Sequence, residues 1–440
     1  MLKLSVPSYF KQRRDQLIEK SGNAAFIFTA NPIARRNHDV DYHFRQDSNL
    51  YYLTGFDEPN AFVVILPGKE KNKHHMTMFV QERNMEREIW VGERYGVERV
   101  GDIFGAHEAY PGTQFDQELP KLLMNVEKVY VQLGLQPMMD QRLVALIKQA
   151  TDRQGRTGKS FLTIHDPQSI VGEMRLFKTA EEIELMKKAC SISAKSHMQV
   201  MKDIRPGMNE FEVEAMIDYH FRRQGCGRNG YGSIVASGDN ATCLHYVQNN
   251  RTMEDGELLL IDAGGEYDYY TADITRTYPV GRSYTREQAK VYDAVLSVQK
   301  ECVAMVKPGV TYNQIQDRAR ELLVDGLLQL ELLKGNAKTL LEKKAYHRFY
   351  PHNIGHWLGM DVHDSGLYGM NDVSRKLEPG MFITIEPGIY IQPFDEEAPK
   401  NYRGIGVRIE DDVLVTSSGC DVLTKEALKE RSDIENIRQY

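Results

Sequence analysis

The sequence predicts two unlike parts: an α/β N-terminal domain, then an α+β C-terminal domain made of two related halves about an internal pseudo-twofold. Three observations predict this. Short apolar runs alternate with helical segments up to about residue 150. The chain then turns polar from Gly155 to Asp166, before a new helical stripe begins. Beyond that stripe, motifs recur in pairs. Ile204-Arg-Pro-Gly-Met208 returns as Val306-Lys-Pro-Gly-Val310, each copy between helical segments. Glu254-Asp-Gly-Glu-Leu-Leu-Leu-Ile-Asp262 is echoed by Glu378-Pro-Gly-Met-Phe-Ile-Thr-Ile-Glu386.

In chain order, residues 9–18 form an amphipathic segment. The apolar runs 25–28, 50–53, 61–66, 76–80 and 129–131 follow, with helical character at 118–124 and 141–150, so a mixed sheet is expected. Pro120 fits a helix only in its first turn. The basic stretch 69–75, with its His pair, reads as a hairpin tip in solvent, and Trp90 as partly buried under a loop. The boundary falls near residue 174, giving domains 1–174 and 175–440. Thr179 and Glu182 make a capping box that opens a helix with the stripe Ile183, Met186, Cys190, Ile192 and Met198. A second helix runs over 209–224 and stops at Gly225.

The repeated segments carry the chemistry. Leu258 to Ile261 fit a buried strand that ends on Asp262 beside Gly264 and Gly265. The chain reverses at those glycines, and the alternating Tyr269, Thr271, Asp273 and Thr275 return as a neighbouring strand with a second carboxylate. In the other half, Glu386 is followed by Gly388 and Tyr390, and the second carboxylate is Glu410 in VRIEDDVLV. Four carboxylates converging on core strands need compensation, which divalent cations supply. His352, His356 and His363 lie between the pairs, where Pro351 and Gly355 argue against a helix, and one of these imidazoles suits a fifth ligand. Four carboxylates and one imidazole form a hard donor set, suited to manganese, cobalt, iron or magnesium. Two ions balance the charge, and the chemistry they support is metal-assisted hydrolysis.

Composition narrows the partners. Lys and Arg number 55 against 62 Asp and Glu, a net charge of -7, so no nucleic-acid or membrane surface is expected. The N-terminus has no apolar core or small-residue cleavage site, and five scattered cysteines without C-x-x-C suit reduced thiols acting as apolar filler. A cytoplasmic location is the expectation.

Asp262, Asp273, His356, Glu386 and Glu410, in the contexts LIDAGGEY, TADITRT, GHWLGMDVHD, TIEPGIY and YRGIGVRIEDD, closely resemble the pita-bread metallopeptidases. Within them the chain is similar to the bacterial Xaa-Pro aminopeptidases (aminopeptidase P), also in YYLTGF, EIW, EMRLFKT and HYVQN. The resemblance implies two divalent ions, manganese first with cobalt, iron or zinc as alternatives. Asp262 would chelate one ion, Asp273 and Glu410 would bridge both, and His356 with Glu386 would complete the other. A hydroxide shared by the ions would attack the carbonyl before a penultimate proline, with Glu386 relaying its proton. His363 and His245 match positions that contact the scissile amide or steady its tetrahedral intermediate. His352, Tyr390 and Arg408 match the lining of a proline pocket, and Tyr231 flanks the site. The resemblance also implies a homo-oligomer, tetramer or dimer, in which Trp90 reaches a neighbouring subunit's site. Prolidase, which takes Xaa-Pro dipeptides, shares the ligands and the two-domain plan and is the runner-up. A methionine aminopeptidase lacks such an N-terminal domain, and a creatinase-like or non-catalytic chain need not keep all five ligands.

Overall fold

The computed structural model describes residues 3–159 and 161–438, and the chain divides into two units, Met1–Glu173 and Met174–Tyr440. The first is built on a six-stranded mixed sheet in the order Glu108–Pro111, His74–Val80, Phe62–Pro67, Ala24–Thr29, Lys128–Val131, Thr163–His165. Ala24–Thr29 is central, antiparallel to Phe62–Pro67 and parallel to Lys128–Val131. Covered on both faces, it reads as an unbroken apolar run rather than an alternating one. Leu143 and Ile147 of helix Pro137–Arg156 join Ile27, Val64 and Val129 in the core.

Several local expectations for this unit need correction. Residues 50–53 belong to helix Ser48–Thr54, because the Asp47 carboxylate caps it by accepting the Leu50 N–H at 2.8 Å. The helix around Pro120 starts earlier, at Phe115, so the proline lies in its second turn; burial of Phe115 and Leu119 sets that start. His74 is a buried strand residue and not a solvated tip. Its Nδ1–H donates to Asp15 at 2.6 Å while its Nε2 accepts from Arg14 Nε at 2.9 Å. Trp90 is 87% exposed, on a helix, Met85–Val91, none of whose residues is buried.

The second unit repeats one plan twice. Each half supplies a helix pair, Ala180–Asp203 with Glu210–Arg223 and Arg286–Met305 with Tyr312–Gln329. Each also supplies a three-stranded antiparallel sheet: Ile234–Ser237, Leu258–Asp262 and Thr275–Pro279 in one, Phe382–Ile385, Asp411–Val415 and Cys420–Val422 in the other. All four helices open with a capping box, Thr179/Glu182, Asn209/Glu212, Thr285/Gln288 and Thr311/Gln314. The paired Pro-Gly and Asp-Gly motifs have matching backbone: Gly207 and Gly309 both have φ +89°, and Gly256 and Gly380 have +82° and +90°. Those values favour glycine, which is why the motifs recur at the same structural places. The two sheets meet where the Glu410 N–H donates to the Thr275 carbonyl at 3.0 Å.

The reversal after Asp262 is not made at Gly264 and Gly265. Asp268 and Tyr269 make it, with φ 47° and 69°, between the paired segments Gly265–Tyr267 and Tyr270–Thr271. Asp273 therefore lies after this ribbon, just ahead of strand Thr275–Pro279. Gly264 is needed for another reason: a Cβ there would sit 1.7 Å from the Ala272 carbonyl oxygen.

Candidate active site

Each carboxylate sits at a strand end or just beyond one. Asp262 ends Leu258–Asp262 and Glu386 follows Phe382–Ile385, while Asp273 and Glu410 precede Thr275–Pro279 and Asp411–Val415. The structure gathers all four at one cavity of about 680 Å³, together with Tyr231, His245, His352, His356, His363 and Arg408. Tyr390 adjoins it through its hydrogen bonds with His352 and Arg408.

His356 Nδ1–H donates to the Trp357 carbonyl at 3.0 Å, which leaves Nε2 facing Asp273 at 3.4 Å and Glu386 at 3.6 Å. This fixes the tautomer a metal-binding imidazole needs. The Tyr231 hydroxyl lies between Asp262, 2.6 Å away, and Asp273. Arg408 donates to Asp262 at 2.7 Å, to the Tyr390 hydroxyl at 2.9 Å and to Thr275 Oγ1 at 3.0 Å, and the Thr275 hydroxyl donates to Glu410 at 2.7 Å. His352 Nε2 meets the Tyr390 hydroxyl at 2.9 Å. His363 packs edge-on against His356 with ring centres 4.3 Å apart.

Without a cation the cluster is electrostatically frustrated. Burial, with the charges of Asp273 and Glu386, pushes the Glu410 carboxyl well above its ordinary value, and burial with Asp262 raises Asp273. Glu386 is pushed up to about 7 by burial, with His356 opposing and Asp273 adding to the rise. Burial would also raise Asp262, but Arg408 holds it below the usual carboxylate range. His356, despite burial, is raised to about 9 by Asp273 and Glu386, whereas burial and Arg408 lower His352 to about 3. Burial and neighbouring His356 lower His363.

These residues fit a metal. Asp273, His356 and Glu410 offer ligand atoms within 4.8 Å of one another, and Asp262 and Glu386 adjoin them. The buried Glu410 Oε1 has no hydrogen-bond partner among the described residues, so a lone pair inside the cluster remains to be satisfied.

The model of metallopeptidase family M24 matches residues 184–417, which contain the whole cluster, and that of the aminopeptidase P N-terminal domain matches residues 10–130. The chain belongs to metallopeptidase family M24. Among M24 relatives, the Xaa-Pro aminopeptidase of Haemophilus influenzae is 40% identical over 440 residues, covering 100% of this chain and 99% of that protein. A solved aminopeptidase from Pseudomonas aeruginosa superposes with a TM-score of 0.94 at 40% identity over 99% of both chains. Zinc-substituted Escherichia coli aminopeptidase P, solved with product, gives 0.93 at 37% over 99% of both. The α/β N-terminal part and the α+β M24 part are those the sequence predicted.

Some contributors escaped the sequence reading. Thr275, which joins Arg408 to Glu410, carried a faint signal as the residue alternating with Asp273. Tyr312 and Tyr368 line the cavity, Tyr368 stacking on Trp357 at 5.0 Å, yet neither belongs to a motif. Asp412, which accepts the Asp273 N–H at 3.0 Å and the Cys190 thiol at 3.3 Å, was given no role by the sequence reading. Cys243 is exposed, so it is not the apolar filler expected of it.

Proposed function

We propose that this M24 peptidase removes the N-terminal residue from peptides whose second residue is proline. The observation that carries the reading is the junction of two groups in one cavity: the carboxylate and imidazole cluster, and the His352, Tyr390 and Arg408 wall bonded to it. The match to an aminopeptidase P N-terminal domain and the full-length likeness to Xaa-Pro aminopeptidases support it.

Asp262, Asp273, His356, Glu386 and Glu410 would hold two divalent ions, manganese first because the donors are hard oxygens with one nitrogen. When bound, such ions lower the pKa of water and polarise a carbonyl. Glu386 takes a proton from the attacking water and returns it to the leaving proline nitrogen. His363 and His245, both at the cavity, donate to the developing oxyanion or hold the scissile amide. His352, Tyr390 and Arg408 seat the proline ring. Arg408 also keeps the Asp262 carboxylate turned into the cluster, and Tyr231 holds Asp262 and Asp273 together.

Residues 175–440 carry the chemistry and residues 1–174 form the aminopeptidase P-type accessory domain. The exposed apolar residues Met85, Ile89, Trp90 and Val91 support self-association as a tetramer or dimer, which light scattering measures. The five cysteines are all free, in keeping with a reducing cytoplasm. Among the described residues no helix is long and apolar enough to cross a membrane.

The deciding experiment compares an Xaa-Pro dipeptide with an Xaa-Pro-Yaa tripeptide, using metal-stripped protein before and after Mn²⁺. Cleavage of the tripeptide restored by metal is the expected result. Cleavage of the dipeptide alone would reassign the chain to prolidase chemistry.

A further inference from the structure

Residues 357–364 run on from His356 through His363, the two histidines that face each other at the cavity, and they contain no helix or regular strand of their own. The segment is closed on itself: the Asp364 N–H donates to the Trp357 carbonyl at 2.9 Å, the same oxygen that accepts His356 Nδ1–H at 3.0 Å. One carbonyl thus links the backbone after His363 to the ring of His356.

What fixes this loop comes from outside it. Arg175 Nη2 donates to Asp364 Oδ1 at 2.5 Å and to Asp361 Oδ2 at 2.7 Å, and Lys178 Nζ donates to Asp364 Oδ2 at 2.9 Å. The side chains of Arg175, Lys178 and Asp364 are at most 2% exposed. Lys178 is itself tied down, its N–H donating to the Gly380 carbonyl at 2.9 Å in the turn ahead of strand Phe382–Ile385. The fit is close, since a Cβ on Gly359 would lie 2.1 Å from Asp364 Oδ2. Burial alone would raise the Asp364 carboxyl, but Lys178 and Arg175 hold it below its ordinary value. A buried ion cluster is a poor source of net stability, since desolvation offsets most of its Coulombic gain. Its attested use is to select one arrangement among several.

We propose that Arg175 and Lys178 are positioning residues for the reaction: by gripping Asp364 they hold His363 in register beside His356 at the substrate cavity. The proposal rests on the reading of His363 as a group that touches the scissile amide or its oxyanion. Loosening the grip leaves the proline wall intact, so it lowers kcat and spares KM.

The test uses the Mn²⁺-loaded full chain and an Xaa-Pro-Yaa tripeptide, with Asp364→Asn, Lys178→Met, His363→Ala and each pair with His363→Ala. Metal content and melting temperature are measured alongside. The expected result is a kcat about 10–100-fold lower in Asp364→Asn and Lys178→Met, as for groups that orient a site residue. KM and bound metal are unchanged, and no further loss appears once His363 is alanine. Full kcat in both clamp variants, or losses that multiply with that of His363→Ala, would overturn the clamp while leaving the role of His363 intact. A His363→Ala enzyme with undiminished kcat overturns both readings. Lys178→Met keeps the Arg175–Asp364 pair and carries the test alone if Asp364→Asn does not fold.

Discussion

Arg408 shows how one side chain can serve both halves of a site. Its three donors reach Asp262, Tyr390 and Thr275 in a fixed planar fork, and through Thr275 it reaches Glu410. A lysine ammonium is a point charge and cannot reproduce that fork. Arg408→Lys should therefore lower kcat/KM by about 10–100-fold, the usual cost of losing a partner that orients ligands. Steady-state kinetics on the tripeptide checks this, and an unchanged kcat/KM would show that charge alone suffices. The four candidate carboxylate ligands were legible from sequence because each adjoins an apolar run in one of the two related halves, whereas His356 was told from His352 and His363 only by the family pattern. Arg408 was legible only through the family pattern, and so was the pocket role of Tyr390, a residue the internal repeat had marked without assigning it a role. Thr275 and Tyr368 were not, since their roles depend on which strands converge, and residues so far apart in the chain leave no local trace.

At the scale of elements, the acidic positions are held by devices that do not look chemical. Gly264 sits where the backbone after Asp262 passes the carbonyl of Ala272, and a methyl group would have to occupy space 1.7 Å from that oxygen. Gly264→Ala should displace Asp262 from Asp273 and cost several-fold to many-fold in Mn²⁺ affinity, with stability lowered by about 1–3 kcal/mol as in other overpacked sites. Titration calorimetry with the metal is the check, and wild-type affinity would refute it. Glu210 plays a comparable part for His245. Its buried carboxylate accepts from the Ser237 N–H and hydroxyl, the Asn240 amide, the Tyr246 hydroxyl and the Arg251 N–H, tying down both ends of segment 237–251. Glu210→Gln replaces one acceptor oxygen by a donor that faces other donors. The expected loss is about 2–4 kcal/mol in chemical denaturation, with kcat reduced through His245. The capping boxes that open these helices were readable at Thr179 because Thr and Glu stand at the right spacing before an apolar stripe. The reversal at Asp268 and Tyr269 was misplaced because two adjacent glycines advertise a turn more loudly than a left-handed Asp-Tyr pair does.

On the scale of the whole molecule, each unit carries its own core: Ile27, Val64 and Val129 with Leu143 in one, Leu259, Ile261, Ile383 and Val413 in the other. Their stabilities should respond to different solution variables. In the first unit His74 is held down to about 4 against an ordinary 6.5, by burial and by the charge of Arg14, with Asp15 opposing. A folded pKa below the unfolded one means that the unfolded chain binds the proton first. This contribution is therefore present above about pH 6.5 and is lost as the pH falls toward about 4, on the order of 3 kcal/mol. In the second unit the frustrated carboxylates make a divalent ion the controlling variable, since a ligand bound only to the folded state adds RT ln(1 + [L]/Kd), about 2.7 kcal/mol at a hundredfold excess over Kd. Scanning calorimetry should resolve two transitions. Mn²⁺ should raise one of them, and His74→Gln should flatten the pH dependence of the other between pH 6.5 and 4. A single transition moved equally by metal and by the His74 substitution would mean that the two cores unfold as one cooperative body, and that the repeat and the accessory domain are not thermodynamically separable.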